Sequence, residues 1–150
     1  MWGRTQLYWL VPIVIVLAVA GMSCATRRAQ RMGLVNGRLA PCPGSPNCVS
    51  SEEKAGLFRV EPLAFTGTPE EAWARLKRTV QEMGGKIRKE SDGYLWATFR
   101  SKVFQFVDDM EFRMDAANKV IHVRSASRLG YSDLGVNRKR VETLRARFSR

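Results

Sequence analysis

The segment RSASRLGYSDLGVNRKR, residues 124–140, carries four arginines, one lysine, three serines and one aspartate. Guanidinium groups fork onto phosphate or carboxylate, and serine hydroxyls with the free amides of a helix start can complete such a cradle. Arg124, Ser125, Ser127, Arg128, Tyr131, Arg138 and Arg140 are therefore candidate anion-binding residues. A second charged stretch, FVDDMEF, supplies Asp108, Asp109 and Glu111, while Asp133 lies inside the basic segment itself. These four acids admit two roles. As internal counter-charges they make the motif a structural latch, with Arg124 paired to Glu111 and Arg128 to Asp108. As acid or base, Asp108 beside the Arg124/Arg128 cluster makes a small hydrolase-like enzyme acting on an anionic metabolite. Charge networks of this kind are more often structural than catalytic, so the latch is the primary reading.

Other chemistries fit less well. A serine triad needs a nucleophile elbow and a usable histidine, and the single histidine, His122, reads as a surface strand residue. Adjacent Asp108 and Asp109 point to opposite faces of a strand, so together they cannot clasp one metal ion. A zinc site lacks its second ligand pair, because Cys42 and Cys48 have only His122 and Cys24 to join them. No metal or cofactor is implied.

The elements that must position these residues begin with an anchor. The net charge is +11, and Arg4, Arg27, Arg28, Arg31 and Arg38 supply five of those charges before the first acid. Between Arg4 and Arg27, residues 7–25 are uncharged and about as long as a membrane helix requires. Residues 1–25 are read as a membrane anchor or signal segment, with lipidation of Cys24 as the second possibility. The arginines that follow favour a cytoplasmic domain by the positive-inside rule. In PCPGSPNC, however, Cys42 and Cys48 are close enough for a disulfide, which requires an oxidising compartment. The extracytoplasmic side is preferred. An anchor and an acidic strand argue against nucleic acid as a partner. The partners implied are the membrane, through the N-terminal helix, and an anionic small molecule or lipid headgroup.

Residues 26–56, rich in glycine, proline and cysteine, read as a tether and loop, and residues 57–150 as the globular domain. LFRVEPLAF reads as a strand. Thr68, Pro69 and Glu71 form a helix-opening capping box, after which Ala72, Trp73, Leu76, Val80 and Met83 recur at helical spacing. Three hairpins follow. A three-residue loop at 91–93 sets Glu90 opposite Tyr94 and Ile87 opposite Ala97. A tight turn at 101–102 sets Phe99 opposite Phe104, Ala97 opposite Phe106 and Trp96 beside Val107. A turn at 117–118 sets Phe112 opposite Val123 and Met114 opposite Ile121. One face is then apolar throughout, ending in Asp108, Ser125 and Ser127, which point toward the core. The other face places Glu111 beside Arg124, Asp109 beside Ala126 and Arg113 beside His122, with the Glu111–Arg124 pair at a solvated surface. Ser132 and Asp133 can cap a last helix whose stripe is Val141, Leu144 and Phe148.

Taken together, PCPGSPNCVSS, FVDDMEF and RSASRLGYSDLGVNRKR resemble the bacterial and plastid family of domains of unknown function numbered 1499, over roughly residues 39–148. The resemblance implies a domain often membrane-anchored or exported, and implies no activity. Asp108, Asp109, Glu111, Arg124, Ser125, Ser127, Arg128, Tyr131, Ser132, Asp133, Asn137 and Arg140 fall on its pattern. The expectation is a two-layer α+β domain with a mainly antiparallel sheet and two helices behind one membrane helix. Its expected function is that of a non-catalytic binding or structural module of the cell envelope.

Overall fold

The computed structural model describes residues 32–101 and 105–150. The anchor segment 1–25, the lipidation candidate Cys24 and Phe104 lie outside the described residues. Among the described residues no helix is long and apolar enough to cross a membrane. The elements run β1 (Leu34–Val35), β2 (Arg38–Leu39), β3 (Cys48–Ser50), β4 (Leu63–Ala64), α1 (Pro69–Glu82), β5 (Lys86–Ser91), β6 (Tyr94–Arg100), β7 (Val107–Asp115), β8 (Val120–Ser127) and α2 (Val136–Phe148). This is an α+β arrangement. Its sheet has the order β3-β8-β7-β6-β5, with β4 pairing with β8 as well and every strand pair antiparallel.

Helix α1 starts where its capping box dictates. The Thr68 hydroxyl accepts the Glu71 amide, and the Glu71 carboxylate accepts the Thr68 amide. Ala72, Leu76 and Val80 of α1, together with Val141, Leu144 and Phe148 of α2, pack against Leu95, Ala97, Met110, Phe112, Ile121 and Val123 of the sheet. Trp73 packs against the same core, its indole N–H donating to Glu90.

The β7–β8 register is the expected one, with Phe112 opposite Val123 and Met114 opposite Ile121. The first hairpin differs near its turn. Asp92 and Gly93 alone form the loop, so Ser91, not Glu90, faces Tyr94. A bulge at Arg88 then restores Ile87 opposite Ala97. The second connection is longer than expected. Ser101 N–H donates to Phe106 O, and the Ser101 hydroxyl accepts the Phe106 amide, closing a wider loop. Ser101-Lys102 lacks the residues that tolerate the two positive φ angles of a tight hairpin turn. Consequently Phe99 faces Asp108, Ala97 faces Met110 and Trp96 faces Glu111. The shift is an even number of residues, so each side chain keeps its face.

Residues 38–56, read from sequence as tether and loop, contribute β2 and β3 and place Val49 in the core. Cys42 and Cys48 are joined by a disulfide. Of the LFRVEPLAF stretch, Leu63 and Ala64 form β4, and Arg59 makes an isolated bridge with Ser50.

Phe112 is fully buried between the sheet and both helices. Phe112→Ala is expected to cost about 3–5 kcal/mol, measured as a lowered urea midpoint at unchanged m-value.

Candidate functional site

The end of the sheet facing α2 is where the polar core residues converge. Asp108, Ser125 and Ser127 alternate in phase with Met110 and Val123, so all three point at the helix layer, and all three are buried. Helix α2 meets them with Asn137, which is 0% exposed. Its amide nitrogen donates to Asn47 O at 3.0 Å and to Ser127 Oγ at 2.9 Å, while its Oδ1 accepts from Ser125 Oγ at 2.6 Å and from Arg140 Nη1 at 2.8 Å. Arg140 continues to Asp108, Nη2 to Oδ2 at 2.6 Å, and stacks its guanidinium over the Phe99 ring. One asparagine side chain thus ties α2 to β8 and to the disulfide loop.

Asp133 holds the start of α2 as expected. Its Oδ1 accepts the Gly135 amide and its Oδ2 the Asn137 amide, both at 2.9 Å, satisfying donors that a helix start leaves free. Asp133 N–H donates in turn to Pro46 O, and the Asn47 side chain donates to Gly130 O. The 45–47 segment and the loop before α2 are therefore docked on each other.

The sheet's other face carries the remaining charges. Arg128 grips Asp109 in a bidentate pair, Nε to Oδ2 at 2.7 Å and Nη2 to Oδ1 at 2.8 Å, and the Trp96 indole donates to the same carboxylate. The expected Arg128–Asp108 pair is therefore corrected. Alternation carries Arg128 onto the face of Arg124 and Ala126, where Asp109 lies, and leaves Asp108 to α2. Arg124 does pair with Glu111, at 2.9 Å, but the pair is buried rather than solvated, with Glu111 at 0% and Arg124 at 3% exposure. The N-terminal segment lies over it, Gly33 N–H donating to Glu111 Oε1 at 2.8 Å, and the Tyr94 hydroxyl donates to the same oxygen at 2.6 Å. Burial and the adjacent Glu111 carboxylate push the Tyr94 phenol far above its ordinary value, so it remains a donor.

Further along this face Glu52 accepts from Arg113 through Oε1 and from the Leu39 amide through Oε2. His122 stands opposite Arg113 as expected, yet it is half-buried and shares a hydrogen bond between its Nδ1 and Ser51 Oγ at 3.2 Å. Ser51 Oγ also accepts the Val123 amide, taking the place of a ladder carbonyl where β3 ends.

The anion-binding candidates are thus dispersed. Ser125, Ser127 and Arg140 belong to the Asn137 hub on the helix side, whereas Arg124 and Arg128 lie on the opposite face. Arg138 donates to the carbonyls of Leu57 and Arg59, and Tyr131 is 78% exposed, away from the hub. A cavity of about 420 Å³ lies elsewhere, between the β1–β2 hairpin and residues 52–55. Sequence reasoning assigned no hydrogen-bond partner to Asn137, Asn47, Glu52 or Tyr94. The sequence signals for the first were its place on the family's pattern and an amide side chain in the opening turn of a helix that follows two inward serines.

The family model described as a protein of unknown function, DUF1499, matches residues 38–148. The chain belongs to the DUF1499 family. Comparison with curated proteins gives no match. The match begins at β2 and ends at the last residue of α2, so the DUF1499 unit takes in the β2 strand, the disulfide loop and the Asn137 hub.

Within this DUF1499 domain His122 is the side chain whose ordinary pKa lies nearest neutrality. Burial, then the Arg113 charge, lower its pKa from 6.5, against opposing pulls from Glu52 and Asp115. The unfolded chain therefore takes up the proton first, and the stability present above about pH 6.5 is lost as the pH falls through the folded value. Carboxylates held low by partners, Glu90 by Lys77 and Asp115 by Asn118, act only below their ordinary values of 4.5 and 3.8. Urea unfolding across pH 7.5 to 5 should show falling stability, and His122→Asn should flatten that slope relative to wild type.

Proposed function

We propose that this DUF1499 protein is a membrane-tethered, non-catalytic module of the cell envelope, held by residues 1–25, with its domain on the extracytoplasmic side. In this reading residues 124–140 form a structural latch joining the last strand to the last helix. One observation carries it: the arginine forks that an external anion would need are engaged inside the protein. Arg124 is taken by Glu111, Arg128 by Asp109, Arg140 by Asp108, and Arg138 by two backbone carbonyls. The serines that would complete a cradle are bonded to Asn137. Among the described residues Asp108 is engaged by Arg140 and lies on the opposite face of the sheet from Arg124 and Arg128, which supports the latch over the hydrolase-like alternative.

Buried pairs of this kind add little net stability over apolar packing, yet removing one partner strands the other charge. Asp108→Asn leaves Arg140 unpaired and should cost on the order of 3 kcal/mol. Phosphate or sulfate at fixed ionic strength should leave the wild-type melting temperature unchanged. A real anion site would add about 2.7 kcal/mol at a hundredfold excess over Kd, and a rise of that kind with a near-neutral mutant would overturn the latch.

Placement outside the cytoplasm rests on the Cys42–Cys48 disulfide, which reducing compartments do not maintain. Alkaline phosphatase fused after Arg150 should be active, and Cys42 and Cys48 should resist alkylation in intact cells until a reductant is added. An inactive fusion with freely alkylated thiols would place the domain in the cytoplasm.

A further inference from the structure

Large apolar side chains that stand out into solvent are unevenly distributed in this domain. Six are strongly exposed among the described residues. Leu34 and Val35 lie in the hairpin where the chain enters the fold, and Leu57, Tyr131, Leu134 and Val136 lie around the start of α2. None lies on α1, β5, β6 or β7. Leu134 is the extreme case, 94% exposed and in a left-handed conformation, φ 53°, which costs a non-glycine residue energy. Its exposure is not looseness. The Leu134 amide donates to Ser132 Oγ, Asp133 ties down the next turn, and Asp133 N–H is bonded to the disulfide loop. Arg138 fastens Leu57 to the same helix start through the Leu57 carbonyl. The fold therefore holds a leucine and a tyrosine outward on a braced support.

From these contacts we infer that the loop 131–136 is a membrane-contact element, inserting Leu134 and Tyr131 into the interfacial layer of the bilayer that carries the chain's own anchor. The inference rests on the tether reading above and adds a second point of attachment to it. Reach supports lipid as the occupant. From residue 25, the end of the apolar run, to Gly33 the chain spans at most about 28 Å when fully extended. A domain of this size has a radius of gyration of about 13 Å, so it is confined close to the surface. Gly33 is bonded to Glu111 at the middle of β7, so the chain enters the domain against the sheet itself and no long spacer separates the two. Composition supports it too. Tyrosine and leucine suit the boundary between headgroups and acyl chains, and Lys139, exposed near the start of α2, suits anionic headgroups.

The test uses the full chain in a Cys24→Ala background, with an environment-sensitive fluorophore on Leu134→Cys and, as a control, on Ala117→Cys in the β7–β8 turn at the far end of the sheet. Both sites are exposed, and matching melting curves against wild type confirm that the fold is kept. The protein is reconstituted into vesicles of phosphatidylcholine and phosphatidylglycerol whose acyl chains are brominated near the headgroup. The label at position 134 should lose about half or more of its emission, as an interfacial depth of 5–10 Å requires, while the label at 117 keeps its own. Co-flotation with equal, weak quenching at both positions would overturn the lipid contact and assign the loop to a protein partner. Failure of the chain to float with the vesicles would overturn the tether reading, and this inference with it.

Discussion

Burial of charge on the second face of the sheet is the constraint from which much of this structure follows. Glu111, Asp109 and Arg124 are each at or below 3% exposure, so water cannot solvate them and each must find its counter-charge inside the protein. That requirement fixes Arg128 on Asp109 and Arg124 on Glu111, and it draws the Tyr94 hydroxyl and the Gly33 amide onto the Glu111 carboxylate. The same need governs the N-terminal segment. Glu52 reaches both Arg113 of β7 and the Leu39 amide, and Glu53 accepts the Cys42 amide, so acids just past β3 hold the strand and loop that precede it. Such pairs add little net stability over apolar packing, because the desolvation of each charge offsets most of its attraction.

The helix side solves a different problem with one neutral residue. Asn137 has a donor group and an acceptor, and here both ends serve two partners each, from three separate parts of the chain. A charged residue in its place would need a counter-ion, and an apolar one would take from the Ser125 hydroxyl its close acceptor and from Asn47 O one of its two donors. Because Asn47 adjoins the disulfide at Cys48, covalent closure of the 42–48 loop and the non-covalent seating of α2 meet at the same backbone. The basic, serine-rich appearance of residues 124–140 is therefore explained mainly by assembly of the domain. Its outward tip, Tyr131 and Leu134, is instead strongly exposed.

How much could be read in advance depended on the range of the interaction. The Thr68–Glu71 capping box, the amphipathic stripe of α1, the β7–β8 register and the inward direction of Asp108, Ser125 and Ser127 are set by residues close in sequence or by strict alternation, and the chain states them directly. Even where a turn was longer than expected, as between β6 and β7, the even shift kept every side chain on its proper face. Spacing made a Cys42–Cys48 bridge possible, and the fold closes it.

What only the tertiary structure decided was which partner each polar group meets. Alternation places Arg128 on a face, but its carboxylate depends on how far the chain travels past the end of β8 before turning. Asp108 could be assigned to Arg140 only once α2 was laid across the sheet. Residues 26–56 looked like a tether and loop because glycines and prolines recur through them. Their role as a strand and a cover appears only when β3 finds the free edge of β8, more than seventy residues away. Sequence by itself determined the faces and the family, since these arise from local periodicity and short motifs. Burial of the Glu111–Arg124 pair and the hub at Asn137 required distant segments to close over them, and that closure depends on packing among elements that no local pattern encodes.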